Sequence, residues 1–258
     1  MKITEISEGI VTSPAAPLRD LAERRCLPAR QVMDQATLAW IASNRPPVAA
    51  VPAHVPCLPS MLVPEVGWFT DEHQANSIHG IGHNARVSLL AALLAAEHQL
   101  DEQDTSALCT AAAIHDCRRR NDRADPGHGR RAARWVARNH LRVQTAFGIP
   151  LPPVAVTRMA AAIALHDTPY AEFTPSDQDA YRRAPLLVDL LKTADCLDRY
   201  RLPLQRWWPD PSHLRISIPS WLHAVAFDVM LASEQARLDG ATHDDALAHA
   251  RDTLTCGQ

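Results

Sequence analysis

The chain has 258 residues, a formal net charge of −3 and 47% hydrophobic residues, enough for one large domain or two small ones with a substantial core. That charge argues against broad non-specific binding to nucleic acid, and no apolar run of about 18 residues is present to span a bilayer. The stretch Met1 to Asp20 is polar and charged rather than a signal peptide. The 6 cysteines (Cys26, Cys57, Cys109, Cys117, Cys196, Cys256) show neither a disulfide framework nor zinc-ribbon spacing, so a reduced cytoplasmic setting is expected. Glycine is scarce at 9, alanine and leucine dominate, and no β-branched alternating run occurs, which predicts an all-α fold.

In chain order, residues 1–70 read differently from the rest. Short helices are expected over Arg19–Arg25 and Ala29–Ser43, the second from the spacing of Val32, Ala36, Leu38, Ala39 and Ile41. Prolines at 46, 47, 52, 56, 59 and 64 remove backbone donors and block helix continuation. That stretch is therefore expected to be extended and to pack on a surface, as a substrate-side cap or a dimer contact. From Asn76 the pattern turns helical, with Ser77 placed to cap a helix carrying Ile78, Val87, Leu89, Leu90, Leu93 and Leu94. A second helix is expected from Asp104 or Ser106 to Asp116, then a polar turn over Asn121–Gly127, then a third helix from His128 to Asn139. A fourth starts at Pro152 or Pro153 and ends at His166 and Asp167. The stretch TPYAEFTPSDQDAYRRA reads as a loop with one turn of helix. Pro185 opens a fifth, strongly amphipathic helix ending near Pro203, and an irregular segment with Trp207 and Trp208 follows. Two last helices run over Trp221–Leu238 and His243–Leu254. The division expected is a proline-rich extension over 1–70 and a helical domain over 71–258.

Histidine and aspartate recur at the ends or first turns of successive helices: His83, then His115 and Asp116, then His128, His166 and Asp195. A helical bundle can bring such residues to one point, since metal sites in bundles are built from facing helices. Neighbours along a helix point about 100° apart, so His115 and Asp116 can share one ion only where the helix ends.

The order H…HD…H…H…D resembles that of the HD superfamily of metal-dependent phosphohydrolases. Four strings carry the likeness: HGIGHNARV (79–87), AAIHDCRRRNDRADPGHGRRAA (112–133), IALHD (163–167) and LLKTADCLDRYR (190–201). It covers roughly residues 76–202, about half the chain. The resemblance implies that His83 is the first ligand, His115 and Asp116 the eponymous pair, and Asp195 the distal aspartate. His128 and His166 match histidines that two-metal members add, with Asp116 then bridging the ions. The implied cofactor is a divalent metal, two ions, with Mn, Fe, Mg, Ni and Zn not distinguished. Mixed imidazole and carboxylate ligands suit Mn²⁺, Fe²⁺ or similar ions better than Ca²⁺.

The implied activity is hydrolysis of a nucleotide or another small phosphate ester by metal-activated water. The expected partner is that small phosphorylated molecule, with neither membrane nor nucleic acid. Asp116, Arg119 and Lys192 are the expected catalytic groups. Arg119, Lys192 and Arg199 each lie within four residues of an expected ligand and are candidate contacts to the substrate anion. Asp125 and Asp198 are candidate acceptors that orient ligand histidines. His79, one turn before His83 on the same helix face, either touches substrate or packs. The arginines at 118, 119, 120, 123, 130, 131, 134 and 138 read as a solvated face paired with Asp116, Asp122 and Asp125, or as a source of substrate contacts. Two alternatives stand beside hydrolysis. Some members with this ligand order are di-iron oxygenases that cleave C–C or C–P bonds, and an HD-like fold can also serve as a non-catalytic nucleotide-binding regulator. The glycine-tyrosine-proline signature of the cyclic-dinucleotide branch is replaced here by LHDTPYAEF.

Overall fold

A computed structural model describes residues 16–47 and 60–256. Residues 1–15, the prolines at 52, 56 and 59, and Cys57 lie outside that description. The described residues are all-α, with no strand among them, and no helix is long and apolar enough to cross a membrane.

Four helices make the centre: α4 (Ile81–Glu97), α5 (Glu102–Ile114), α7 (Pro153–Leu165) and α9 (Pro185–Leu197), each packed on at least two of the others. Leu89, Leu90, Leu94, Leu108, Ile114, Met159 and Ile163 are fully buried between them. Each such side chain stabilises the fold by about 1.5–3 kcal/mol relative to exposure. The alanines Ala111, Ala112, Ala113 and Ala162 carry no bulk, so the backbones approach closely. α6 (His128–Phe147) lies on α7, burying Ala132, Ala133, Val136 and Val143 while Arg134 and Arg138 face solvent. α10 (Ser220–Leu238) and α11 (His243–Cys256) cover the far side of α4.

The described N-terminal residues do not form a separate core. α1 (Leu18–Glu23) and α2 (Gln35–Ser43) are joined to each other by Asp34, which accepts from Leu18 N (2.7 Å) and caps α2 through Thr37 N (2.9 Å). Met33, Leu38 and Ile41 belong to the same hydrophobic core as α4 and α10.

Element boundaries differ from the expectation in several places. α2, capped by Asp34, begins at Gln35 rather than Ala29, and α9 ends at Leu197 and is followed by a tighter helical turn over Asp198–Arg201. α4 begins at Ile81 rather than near Asn76, because residues 77–80 form a turn. A Cβ on Gly80 would lie 2.1 Å from Ala75 O, so only glycine permits that turn, and Ser77 is no cap: its hydroxyl faces Asp122 (3.0 Å). α6 continues past Asn139 to Phe147, following Val136 and Val143 along its buried face, and stops at Gly148, whose φ is 66°. The segment read as a loop contains α8 (Pro175–Arg183), started by a Thr174–Asp177 capping box and by proline in its first turn. α3 (Glu72–Ala75) is a single turn capped by Asp71.

Candidate metal centre

Every candidate ligand sits at a helix end. His83 is in the first turn of α4, His115 caps the C-terminus of α5, His128 opens α6, His166 caps the C-terminus of α7, and Asp195 is in the last turn of α9. The packing of α4, α5, α7 and α9 brings these ends together, and the adjacent pair His115 and Asp116 falls just where α5 stops. Ligand atoms of His83, His115 and Asp116, of His115, His166 and Asp195, and of Asp116, His128 and His166 form three overlapping groups, each within 4.8 Å. Buried His/Asp groups able to hold a metal ion are thus present.

The imidazoles are fixed in one tautomer. His115 Nδ1 donates to Ala112 O (2.7 Å), His128 Nδ1 to Asp125 O (2.8 Å) and His166 Nδ1 to Ile163 O (2.8 Å). His83 Nδ1 meets Asp198 Oδ2 at 2.8 Å. Carbonyls and an ionised carboxylate only accept, so Nδ1 carries a proton, and in the neutral ring the Nε2 lone pair is bare. Those bare nitrogens converge in pairs: His83 and His115 Nε2 are 3.1 Å apart, and so are His128 and His166 Nε2. Two lone pairs at that distance repel unless a proton or a cation lies between them.

Asp116 stands between the pairs. Its Oδ2 is 3.8 Å from His83 Nε2, while Oδ1 is 2.8 Å from His128 Nε2 and 3.4 Å from His166 Nε2. Oδ1 is sealed from solvent and makes no hydrogen bond of acceptable geometry, even at 2.8 Å from His128. An orphaned buried carboxylate oxygen costs a few kcal/mol, about 1–3 or more, unless something positive satisfies it. Burial pushes the Asp116 carboxyl up, but His128, Arg119 and His115 outweigh it and hold the group well below the usual carboxylate range. Asp195 behaves alike: burial raises it, but the His115 and His83 imidazoles beside it outweigh burial and hold it well below the usual carboxylate range, so it stays ionised. Its Oδ1 is 3.4 Å from His83 Nε2 and 3.7 Å from His115 Nε2. Among the described residues the groups able to hold an ion consist of histidine and aspartate, without cysteine. The donor set of imidazole nitrogen and carboxylate oxygen therefore fits a divalent first-row ion.

A cavity of about 730 Å³ opens on this cluster. Asp116, His128, His166 and Asp195 line its inner end, together with Arg119 and Arg201. Arg119 Nη1 lies 3.3 Å from both Asp116 Oδ2 and His128 Nε2. Arg199 also lines the cavity, tied by Nε to Trp207 O (2.7 Å). Lys192 does not line it. Its Nζ donates to His166 O (3.0 Å) and Thr168 O (2.6 Å) over the Tyr170 ring, so it fixes the backbone behind His166, and burial lowers it to about 8.

Two of the expected supporting roles change. Asp198 does hold His83, but Asp125 reaches His128 through its backbone carbonyl. The Asp125 carboxylate instead binds Arg120 N (2.6 Å) and Arg131 (2.5 Å). The carboxylate beside His128 is Asp167, 3.2 Å from Nδ1. His79 lies outside α4, in the turn before it, and is held by Asp122 at 3.1 Å. Burial drives the His79 ring down to about 3 despite that carboxylate, so it is neutral. Asp122 thus pairs with His79, Gln74 and Gln31 N rather than with arginines.

Sequence reasoning also passed over Arg201, 2% exposed, whose Nη2 is 3.4 Å from His83 Nε2. It closes the string that holds Asp195, and that position was its only signal. Asp167 was signalled by the second His-Asp dipeptide. Comparison of the chain with protein-family models, with curated proteins and with solved structures gives no match.

Proposed function

We propose that this protein is an HD-type phosphohydrolase that holds two divalent cations and acts on a small phosphate ester. The observation that carries the reading is Asp116, whose two oxygens face two separate pairs of bare imidazole nitrogens beside an arginine-lined cavity. His83, His115 and Asp195 would hold one ion, and His128 and His166 the other, with Asp116 shared. Ions bound there would supply Lewis-acid polarisation of a phosphoryl oxygen and an acidified water.

The chain's own residues supply the rest. Arg119 and Arg201 stand at the inner end with guanidinium forks matched to phosphate oxygens, and Arg199 lines the same cavity. Asp198, gripped by Arg86 at 2.7 and 3.0 Å, keeps the His83 ring in one orientation, and Asp167 stands beside the His128 ring. Lys192 acts as a positioning residue for His166. The substrate class rests on these arginines and on the resemblance of the motif order.

The test combines metal analysis of purified protein with phosphatase and phosphodiesterase assays on wild type, His115→Ala and Asp116→Ala. Stoichiometric metal and turnover lost in both variants is the expected result. Undiminished turnover in both would sink the reading, and turnover that requires O₂ would replace hydrolysis with oxygenation.

A further inference from the structure

The cavity is much larger than one phosphate group needs, and its arginines fall into two sets. Arg119 and Arg201 are largely buried among the groups at the inner end. Arg25, Arg123 and Arg206 are exposed and line the same cavity from three separate segments. Arg25 follows α1, Arg123 lies in the turn before α6, and Arg206 lies in a short helical turn over Gln205–Trp207. The segments are tied together at this place. Asp122 N donates to Ala29 O (2.8 Å), Gln31 N donates to Asp122 Oδ2 (2.7 Å), and Arg206 reaches Glu23 at 3.7 Å.

The charges at this end are not balanced. Among the described residues Arg25 and Arg123 have no ion pair with a carboxylate, and Arg206 has only Glu23. Of the aspartates on the wall, Asp122 is committed to His79 and backbone, Asp167 to His128, and Asp116 and Asp195 to the histidine cluster. Like charges gathered around a concave surface repel, and an anion that enters relieves the repulsion while its field lines are focused by the walls. The volume, about 730 Å³, lies in the range of about 300–1,000 Å³ that holds a whole small molecule.

We propose that Arg25, Arg123 and Arg206 form a second anion subsite, so that the substrate carries one anionic group at the inner end and another, a phosphate or carboxylate, at the mouth. This rests on the phosphohydrolase reading for the inner group only. The residues upstream of α4 that form the cavity wall thereby select substrates, with Arg25 as their charged contact.

The test uses metal-loaded full-length protein and butyl, hexyl and octyl monophosphates ending in a second phosphate, a carboxylate or a hydroxyl. Inorganic phosphate is the reference for the inner site. Binding by calorimetry should favour at least one of the doubly anionic probes over its hydroxyl partner by about tenfold or more. Arg25→Gly combined with Arg123→Gln should erase that preference and leave the affinity for inorganic phosphate within about twofold. Arg25 has φ 58°, a left-handed conformation that glycine adopts more readily, so this substitution should not lower the melting temperature. A preference that survives the double variant, or that is absent in wild type while inorganic phosphate still binds, overturns the subsite. Failure of inorganic phosphate to bind wild type overturns the phosphohydrolase reading instead, and the subsite falls with it.

Discussion

His83 and His115 sit in the interior of the bundle, at the start of α4 and the end of α5, with exposures of 1% and 0%. His128 and His166, on α6 and α7, face the cavity. In the first pair His83 is backed by charge, whereas His115 Nδ1 is held by Ala112 O at 2.7 Å. Asp198 binds His83 and is itself gripped by Arg86 and Arg201, while Arg86 also pairs with Glu234 at 2.8 Å. The second pair is backed mainly by backbone, through Asp125 O and Ile163 O, and by a close approach of α6 to the end of α7. A charge network in a dry interior is rigid but collapses when one member is removed, whereas a carbonyl-held ring depends on how closely two helices can pack.

Asp116 turns one oxygen toward each half, so its loss should have the largest effect. Asp116→Asn keeps the shape but replaces one oxygen by an amide that cannot accept. Metal content should fall at both positions and turnover by about a thousandfold or more. Retention of a full complement of metal, by elemental analysis, would separate the two halves into independent sites.

The interior half should break through stability. Asp198→Asn leaves Arg86 and Arg201 without their shared carboxylate in a buried setting. Removing one member of such a network costs about 3–5 kcal/mol. Urea unfolding of chelated protein measures this without interference from metal. A loss under about 1 kcal/mol would mean that Glu234 alone satisfies Arg86.

The cavity-facing half should break through geometry. A Cβ on Gly129 would lie 2.5 Å from Ile163 O and 2.9 Å from His166 Nδ1. Gly129→Ala should therefore push α6 from α7, separate His128 from His166, and leave about one ion bound instead of two. Two ions per chain in that variant would show that the helices can part without disturbing the rings.

The two halves also differ in how far the sequence reveals them. The helices carrying His83 and His115 are read from runs of alanine and leucine and the one carrying Asp195 from a strongly amphipathic pattern, and the helical class follows from composition alone. His128 and His166 were assigned from the motif order, and nothing in the sequence shows that Gly129 permits their approach. Asp125 precedes His128 by three residues, and at that spacing its backbone carbonyl, not its carboxylate, meets the ring. Lys192 has the charge of a substrate contact, but only the fold reveals that its ammonium is spent on two carbonyls. The cavity wall built by residues 22–31 was illegible, because it depends on long-range pairing with the turn around Asp122.

A smaller effect is expected at Asp167, which stands 3.2 Å from His128 Nδ1, where Asp125 O already accepts. Asp167→Asn should weaken only the ion on this side, by about tenfold, the low end for a residue that orients a ligand. A metal titration with one unchanged and one weakened step is the expected outcome, and two unchanged steps would leave orientation of His128 to the backbone alone.

The smallest effect lies behind the interior half, at His243 in the first turn of α11. Its Nε2 meets Asn76 at 3.0 Å, and burial, with Arg237 and Arg86 nearby, lowers its pKa from 6.5 to about 4. The folded state thus resists protonation that the unfolded chain accepts. No contribution exists above pH 6.5; as pH falls from 6.5 to about 4 the unfolded state gains a proton and stability is lost. His243→Gln cannot take up that proton, so its acid limb should be shallower, by less than about 1 kcal/mol because solvent screens the partly exposed ring. Urea midpoints of chelated wild type and variant at neutral pH and near the lowered pKa measure the difference. Parallel acid limbs would show that His243 contributes nothing to the loss of stability in acid.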